Sequence, residues 1–120
     1  MKATELRIGN YVNKKNRFGE IEQIEIYGIS ARQNVYDEDD SIFGCDELIP
    51  ILITNEWLLK FGFIKNDCDN YELEYTFKLN ASFTIINKDR CYFYIDAPNH
   101  EIKHVHQLQN LYFALTNEEL

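Results

Sequence analysis

The sequence predicts an α+β fold in a single domain spanning residues 1 to 120. Three observations predict it: short β-rich runs separated by turn residues, a brief helix specified at both ends, and a C-terminal stretch whose apolar residues recur every three to four positions. A chain of 120 residues can bury about two-thirds of the surface its unfolded form exposes. With 45% hydrophobic and 14% aromatic residues it has the material for a core, which argues against disorder and removes any need for a disulfide or metal to fold.

The first β-rich half begins at Leu6 to Val12, a short apolar strand preceded by a turn, followed by a polar loop from Asn13 to Gly19. Ile21, Ile24 and Ile26 then change parity within one strand, which a bulge or sharp bend of the kind found in small barrels would reconcile. A third strand is expected over Ile29 to Tyr36. After the acidic loop Asp37 to Ser41, Ile42-Phe43 and Leu48 to Leu52 close the sheet, with Pro50 marking an edge or a strand end.

Thr54 is suited to cap a helix, Ile53 and Leu58 to form its hydrophobic staple, and Glu56 to sit at its positive end. Gly62 supplies the left-handed residue that ends it, with Phe63 placed to touch Leu58, so a helix is predicted over Asn55 to Phe61. A polar turn at Asn66 to Asn70 leads to an antiparallel three-stranded meander over Tyr71 to Leu79, Ser82 to Ile86 and Cys91 to Ile95. Ile102, Val105, Leu108, Tyr112 and Leu115 then share one face of an amphipathic helix, widened by Leu111 and Ala114 and ending near Thr116-Asn117.

Net charge is −8 and uneven. Residues 1 to 20 carry five positive and two negative side chains, whereas 21 to 60 carry two positive and nine negative. Such a field repels nucleic acid at long range and attracts basic protein surfaces. The N-terminal residues show no apolar signal segment, no uncharged run reaches membrane-spanning length, and three scattered cysteines do not form a disulfide framework. A cytoplasmic location and no membrane association are expected.

No catalytic residues emerge. Asp37-Glu38-Asp39-Asp40-Ser41 opens like a calcium loop, but the glycine and glutamate that such a loop requires are replaced by Ile42 and Leu48, which favours a solvated acidic loop. In a functional version, this loop imitates phosphate charge for a basic partner. His100, His104 and His106 lack a zinc-binding spacing, and helical geometry would separate the last two by about 160°, so they read as surface histidines on a polar helix side. Cys45 and Cys68 sit among acidic neighbours that suppress a thiolate, and Cys91 begins a strand. Neither a phosphate-cradling glycine loop nor a distinct carboxylate pair can be singled out, so no metal, no cofactor and no enzymatic activity are expected.

The tip Lys14-Lys15-Asn16-Arg17-Phe18 joins three cations to an aromatic ring, a small nucleic-acid contact. Among the aromatic strands, alternate tyrosines are candidates for exposure.

The segments Leu6 to Val12, Thr54 to Phe63 and Val105 to Thr116 (LRIGNYV, EWLLKFGF and VHQLQNLYFALT among them) resemble an uncharacterised family of short proteins from Bacteroidetes genomes and their phages or prophages. The resemblance spans nearly the whole chain, implies a mobile-element setting and transfers no catalytic residue. Leu6, Gly9 and Val12 followed by Gly19 and Ile21 also resemble small SH3-like barrels, including some that bind RNA. This divides the chain into an SH3-like subdomain over 1 to 52 and a part over 53 to 120 holding the helix, the meander and the C-terminal helix.

Two functions follow as expectations. The first is a non-enzymatic protein-binding module of a mobile element, a counter-defence (anti-CRISPR-like) inhibitor that engages the basic nucleic-acid-binding surface of a bacterial nuclease or RNA-guided effector. It would act through Asp37, Glu38, Asp39, Asp40, Asp46 and Glu47. The alternative is an SH3-like RNA- or DNA-binding accessory protein that uses Lys14, Lys15, Arg17 and Phe18.

Overall fold

The computed structural model describes residues 1–67, 74–79, 83–88 and 90–120. In chain order, a 3-10 turn at Ala3–Glu5 precedes β1 (Tyr11–Lys15), β2 (Ile21–Glu25), β3 (Gly28–Ile29), β4 (Asn34–Tyr36) and β5 (Ile42–Gly44). A second 3-10 turn, Cys45–Glu47, leads into β6 (Leu48–Ile49) and then α1 (Asn55–Lys60). The chain continues through β7 (Ile64–Asp67), β8 (Glu74–Lys78), β9 (Thr84–Lys88), β10 (Cys91–Tyr94) and β11 (Ala97–Ile102) to α2 (Val105–Thr116). The fold is therefore mixed α+β, built on antiparallel sheets with a C-terminal helix.

Two compact units divide these elements. The first comprises Met1–Ile51 and His104–Leu120, and the second is the intervening Leu52–Lys103. The sequence grouped the C-terminal helix with the meander, but α2 belongs to the first unit, where it lies against β1.

In the first unit one sheet has the order β2-β1-β6 and another the order β3-β4-β5. No closed barrel is found among the described residues. β1 and β2 pair without a bulge, from Tyr11↔Glu25 to Lys15↔Ile21. The parity conflict resolves differently from expectation: Ile24 and the buried Ile26 face inward, while Ile21 is 53% exposed. The expected strand Ile29 to Tyr36 is two strands joined by a turn, in which Gln33 takes a left-handed φ of 64° and its N–H donates to the Ser30 carbonyl at 3.0 Å. Leu6, Val12, Ile26, Val35, Cys45 and Leu48 form the core of this unit.

The second unit is a five-stranded sheet of order β11-β10-β9-β8-β7 with α1 attached. The meander thus gains a strand on each side. Asn66 and Asp67, expected in a turn, belong to β7, while the remainder of that expected turn lies outside the described residues, as does Cys68. His100, read from the sequence as lying on a polar helix side, belongs with Pro98 to β11, an edge strand where proline's missing N–H costs no ladder bond. Phe63, Phe77, Phe83, Ile85 and Tyr92 are buried, and the Phe83 and Tyr94 rings lie 4.9 Å apart.

Both ends of α1 follow from local chemistry. The Thr54 hydroxyl accepts the Trp57 N–H at 3.3 Å, satisfying one of the free donors of the first turn. At the other end Gly62, with φ of 96°, donates to the Leu59 carbonyl while Phe63 donates to that of Leu58, both at 3.0 Å. This is the paired closure of a Schellman motif, and it restricts position 62 to a residue that tolerates left-handed backbone.

α2 is fixed along its flank. Its buried residues are Val105, His106, Leu108, Gln109 and Tyr112, whereas Ala114 and Leu115 are exposed, so the inward face is rotated from the one the apolar periodicity predicted. Gln109 accepts the Tyr11 N–H and donates to the Gly9 carbonyl, both at 2.9 Å. Asn110 accepts from the fully buried Asn10 at 2.9 Å and donates to the Glu5 carbonyl at 2.9 Å. Arg7 pairs with Glu119 and holds its guanidinium 3.8 Å from the centre of the Phe113 ring. Asn117 ends the helix at a φ of 59°, as its tolerance of left-handed backbone predicts.

Candidate functional site: an acidic cleft on the first unit

The loop between β4 and β5 is shaped by its own first residue. The Asp37 carboxylate accepts the N–H of Asp39 at 3.0 Å and of Ser41 at 2.9 Å, and Asp40 takes the left-handed position with its N–H on the Asp37 carbonyl. Aspartate at the first position of a turn does this because its short carboxylate reaches N–H groups two to four residues ahead. The remaining carboxylates of the loop, Glu38, Asp39 and Asp40, are left exposed.

Opposite the loop stands the β1–β2 hairpin. Its register sets Lys14 across from Glu22, and their side chains meet at 3.6 Å. Together the two hairpins wall a cleft of about 300 Å³ whose lining includes Glu22, Glu25, Asp37, Glu38, Asp39 and Lys14. The cleft therefore holds five carboxylates against one ammonium. The phenols beside it report the same field: Tyr27 is held above its ordinary pKa, chiefly by Glu38 and then Glu25, and Tyr11 is raised by burial and then by Glu25.

The proposed acidic contacts do not act as one group. Asp37, Glu38 and Asp39 line the cleft, whereas Asp40, Asp46 and Glu47 are not part of its lining. Asp46 and Glu47 lie in the second 3-10 turn, and the Glu47 carboxylate is engaged locally by the Gly44 N–H at 2.7 Å. Glu22 and Glu25 join the site without having been singled out in the sequence. Their signal was available in the hairpin register, since a turn centred on Phe18 sets Lys14 opposite Glu22.

The basic tip is divided by the same register. Lys14 turns into the acidic cleft and also lies 4.1 Å from the centre of the Phe43 ring. Lys15, Arg17 and Phe18 stay exposed, Phe18 at 74%, with the Arg17 guanidinium 5.0 Å from the Phe18 ring centre. Asn16 shapes the tip by accepting the N–H of Phe18 at 2.9 Å and of Glu20 at 3.0 Å.

A second cleft, about 490 Å³, lies on the second unit between α1 and the β9–β10 turn. Asn55 accepts from Asn87 at 3.2 Å and from the Tyr92 hydroxyl at 2.5 Å, which ties the start of α1 to the sheet. Burial raises the pKa of the Tyr92 phenol.

The three histidines do not converge. His100 is exposed on β11, while His106 is 3% exposed, which corrects the expectation that it is a surface residue. His104 is the extended N-cap of α2, so helical angular spacing does not apply to it, and its ring stacks on that of His106 with centroids 5.7 Å apart. No cluster of three or more metal-ligating side chains occurs among the described residues. Cys45, expected in an acidic turn, is buried with its thiol 2.9 Å from the Gln33 carbonyl, and Cys91 is half-buried.

Fold and site together define a small α+β protein with an acidic cleft between two hairpins. No family model, curated protein or solved structure matches the chain. Among the described residues, no helix is long and apolar enough to cross a membrane.

Proposed function

We propose that this chain is a non-enzymatic protein-binding module of a mobile element, a counter-defence (anti-CRISPR-like) inhibitor acting in the cytoplasm. Its acidic cleft engages the basic nucleic-acid-binding surface of a bacterial nuclease or RNA-guided effector. The observation that carries this reading is the convergence of Glu22, Glu25, Asp37, Glu38 and Asp39 on one cleft. A surface built to hold nucleic acid presents lysine and arginine to phosphates, and closely spaced carboxylates offer the same charge to those cations. Net charge of −8 adds long-range attraction, raising the rate of encounter with a basic partner. The mobile-element setting rests on the family resemblance.

The small-barrel reading of the first half has support in chain order. Successive strands pass from the first sheet to the second across Ile26 and Tyr27, and β6 returns to pair with β1. Bent connections of this kind make the corners of small barrels.

Affinity capture from a native bacterial lysate, with and without nuclease treatment, tests the proposal when wild type is run beside Asp37→Lys/Glu38→Lys/Asp39→Lys. A basic nuclease or effector that survives the treatment and is lost with the variant supports it. Retention by the variant removes the cleft from the function.

The alternative, an SH3-like nucleic-acid-binding accessory protein, is favoured by the exposure of Lys15, Arg17 and Phe18 on one tip. Lys14 is engaged elsewhere, which leaves fewer cations for phosphates and predicts weak, salt-sensitive affinity. Titration of labelled single-stranded RNA and DNA at two salt concentrations decides it, and no binding at low salt eliminates this reading.

A further inference from the structure

His106 occupies the second position of α2, one residue after Val105, whose N–H donates to the Ile51 carbonyl at 2.9 Å. Its ring is nearly inaccessible, and its Nδ1 is buried without a hydrogen-bond partner. Buried polar atoms are ordinarily satisfied, so an orphaned imidazole nitrogen in a helix's first turn is an unusual arrangement. His104 lies parallel against it, with an interplanar angle of 12°.

We propose that the His104–His106 stack is a proton-sensitive latch on the first turn of α2, in which charging the buried His106 ring releases that turn. Three physical effects oppose the charged ring where it sits. Burial removes its hydration, a charged His104 would repel it across the stack, and the N-terminal end of α2 presents the positive end of the helix dipole. Glu5, from the first 3-10 turn, favours the charged ring. The balance lowers the His106 pKa, with burial the largest cause and His104 the second.

The sign of the pH effect follows. An unfolded chain takes up the proton near the ordinary histidine value of about 6.5, while the folded His106 takes it up only at lower pH. Neutral His106 is therefore accommodated above that value, and stability is lost as pH falls from it toward the folded pKa. In that window one proton steepens unfolding by up to about tenfold per pH unit. Release of the stack localises the loss to the turn whose bonds are Val105 N–H to Ile51 carbonyl and Leu108 N–H to His104 carbonyl.

Hydrogen exchange resolved by residue tests the latch in the full chain between pH 7.5 and 5. Protection at Val105 and Leu108, corrected for intrinsic exchange, is expected to fall below pH 6.5, while that at Ile26, bonded to the Asn10 carbonyl in the same unit, is retained. His106→Gln should abolish the fall and His100→Gln should preserve it. NMR titration of His106 in the wild-type chain provides a test independent of any variant's folding: it should titrate below the ordinary histidine value of about 6.5. Equal loss at Ile26 and Val105, or a His106 midpoint at or above the ordinary value of about 6.5, would overturn the proposal.

Discussion

The two helices of this protein are held by different means. In the second unit, α1 is short and closed at both ends by neighbours in sequence, with Thr54 at its start and Gly62 and Phe63 at its finish, and Leu58 fills the space beneath it. In the first unit, α2 is twice as long and is held by residues about a hundred positions away, through Gln109 to Gly9 and Tyr11 and through Asn110 to Glu5 and Asn10. The first arrangement derives from burial and caps, and the second from directional amide hydrogen bonds, of which Gln109 and Asn10 supply the buried groups. An apolar helix face can slide at small cost. A face fixed by directional hydrogen bonds has one register, and here it positions α2 against β1, the strand that also carries Lys14 into the acidic cleft.

Substitutions that separate the two modes would break or sharpen this contrast. The largest effect is expected from Leu58→Ala, which leaves a cavity under α1 and should destabilise the protein by about 3 to 4 kcal/mol in urea unfolding. Gln109→Leu keeps volume and gains apolarity, yet should cost about 2 to 3 kcal/mol by removing partners from the Tyr11 N–H and the Gly9 carbonyl. If that variant were more stable than wild type, the account of α2 docking would be wrong. Gly62→Ala should cost about 1 kcal/mol because a side chain is strained at its φ of 96°. The smallest effect belongs to Glu119→Gln, about 0.5 kcal/mol and screened by salt, since the Arg7–Glu119 pair is solvent-accessible.

The same contrast explains what the sequence revealed. The cap, staple and terminating glycine of α1 all lie within ten residues and could be read locally, whereas the bonds from Asn87 and Tyr92 to Asn55 could not. For α2 the apolar repeat gave a helix but selected Leu115 and Ala114 for its inner face. The buried His106 and Gln109 are invisible to a hydrophobic pattern, because polar side chains go inside only where a distant backbone meets them. Ile102, three residues before Val105, imitated helical spacing although it ends β11. Edge strands such as β11 give the weakest local signal, tolerating proline and polar residues. At the site, the charge of the Asp37 to Ser41 loop was legible, while its opposite wall of Glu22 and Glu25 depended on the hairpin register. Lys14 looked like part of a basic tip until that register set it beside Glu22.

The most direct test of the functional account is calorimetric titration of a purified nuclease or effector, obtained by capture, with three forms of this protein. Asp37→Lys/Glu38→Lys/Asp39→Lys is expected to lower affinity by about 100-fold or more, as reversal of several contacting charges should. Lys15→Glu/Arg17→Glu should bind within a few-fold of wild type. The opposite pattern, with binding intact in the cleft variant and lost in the tip variant, would contradict the account and assign the interaction to the basic hairpin.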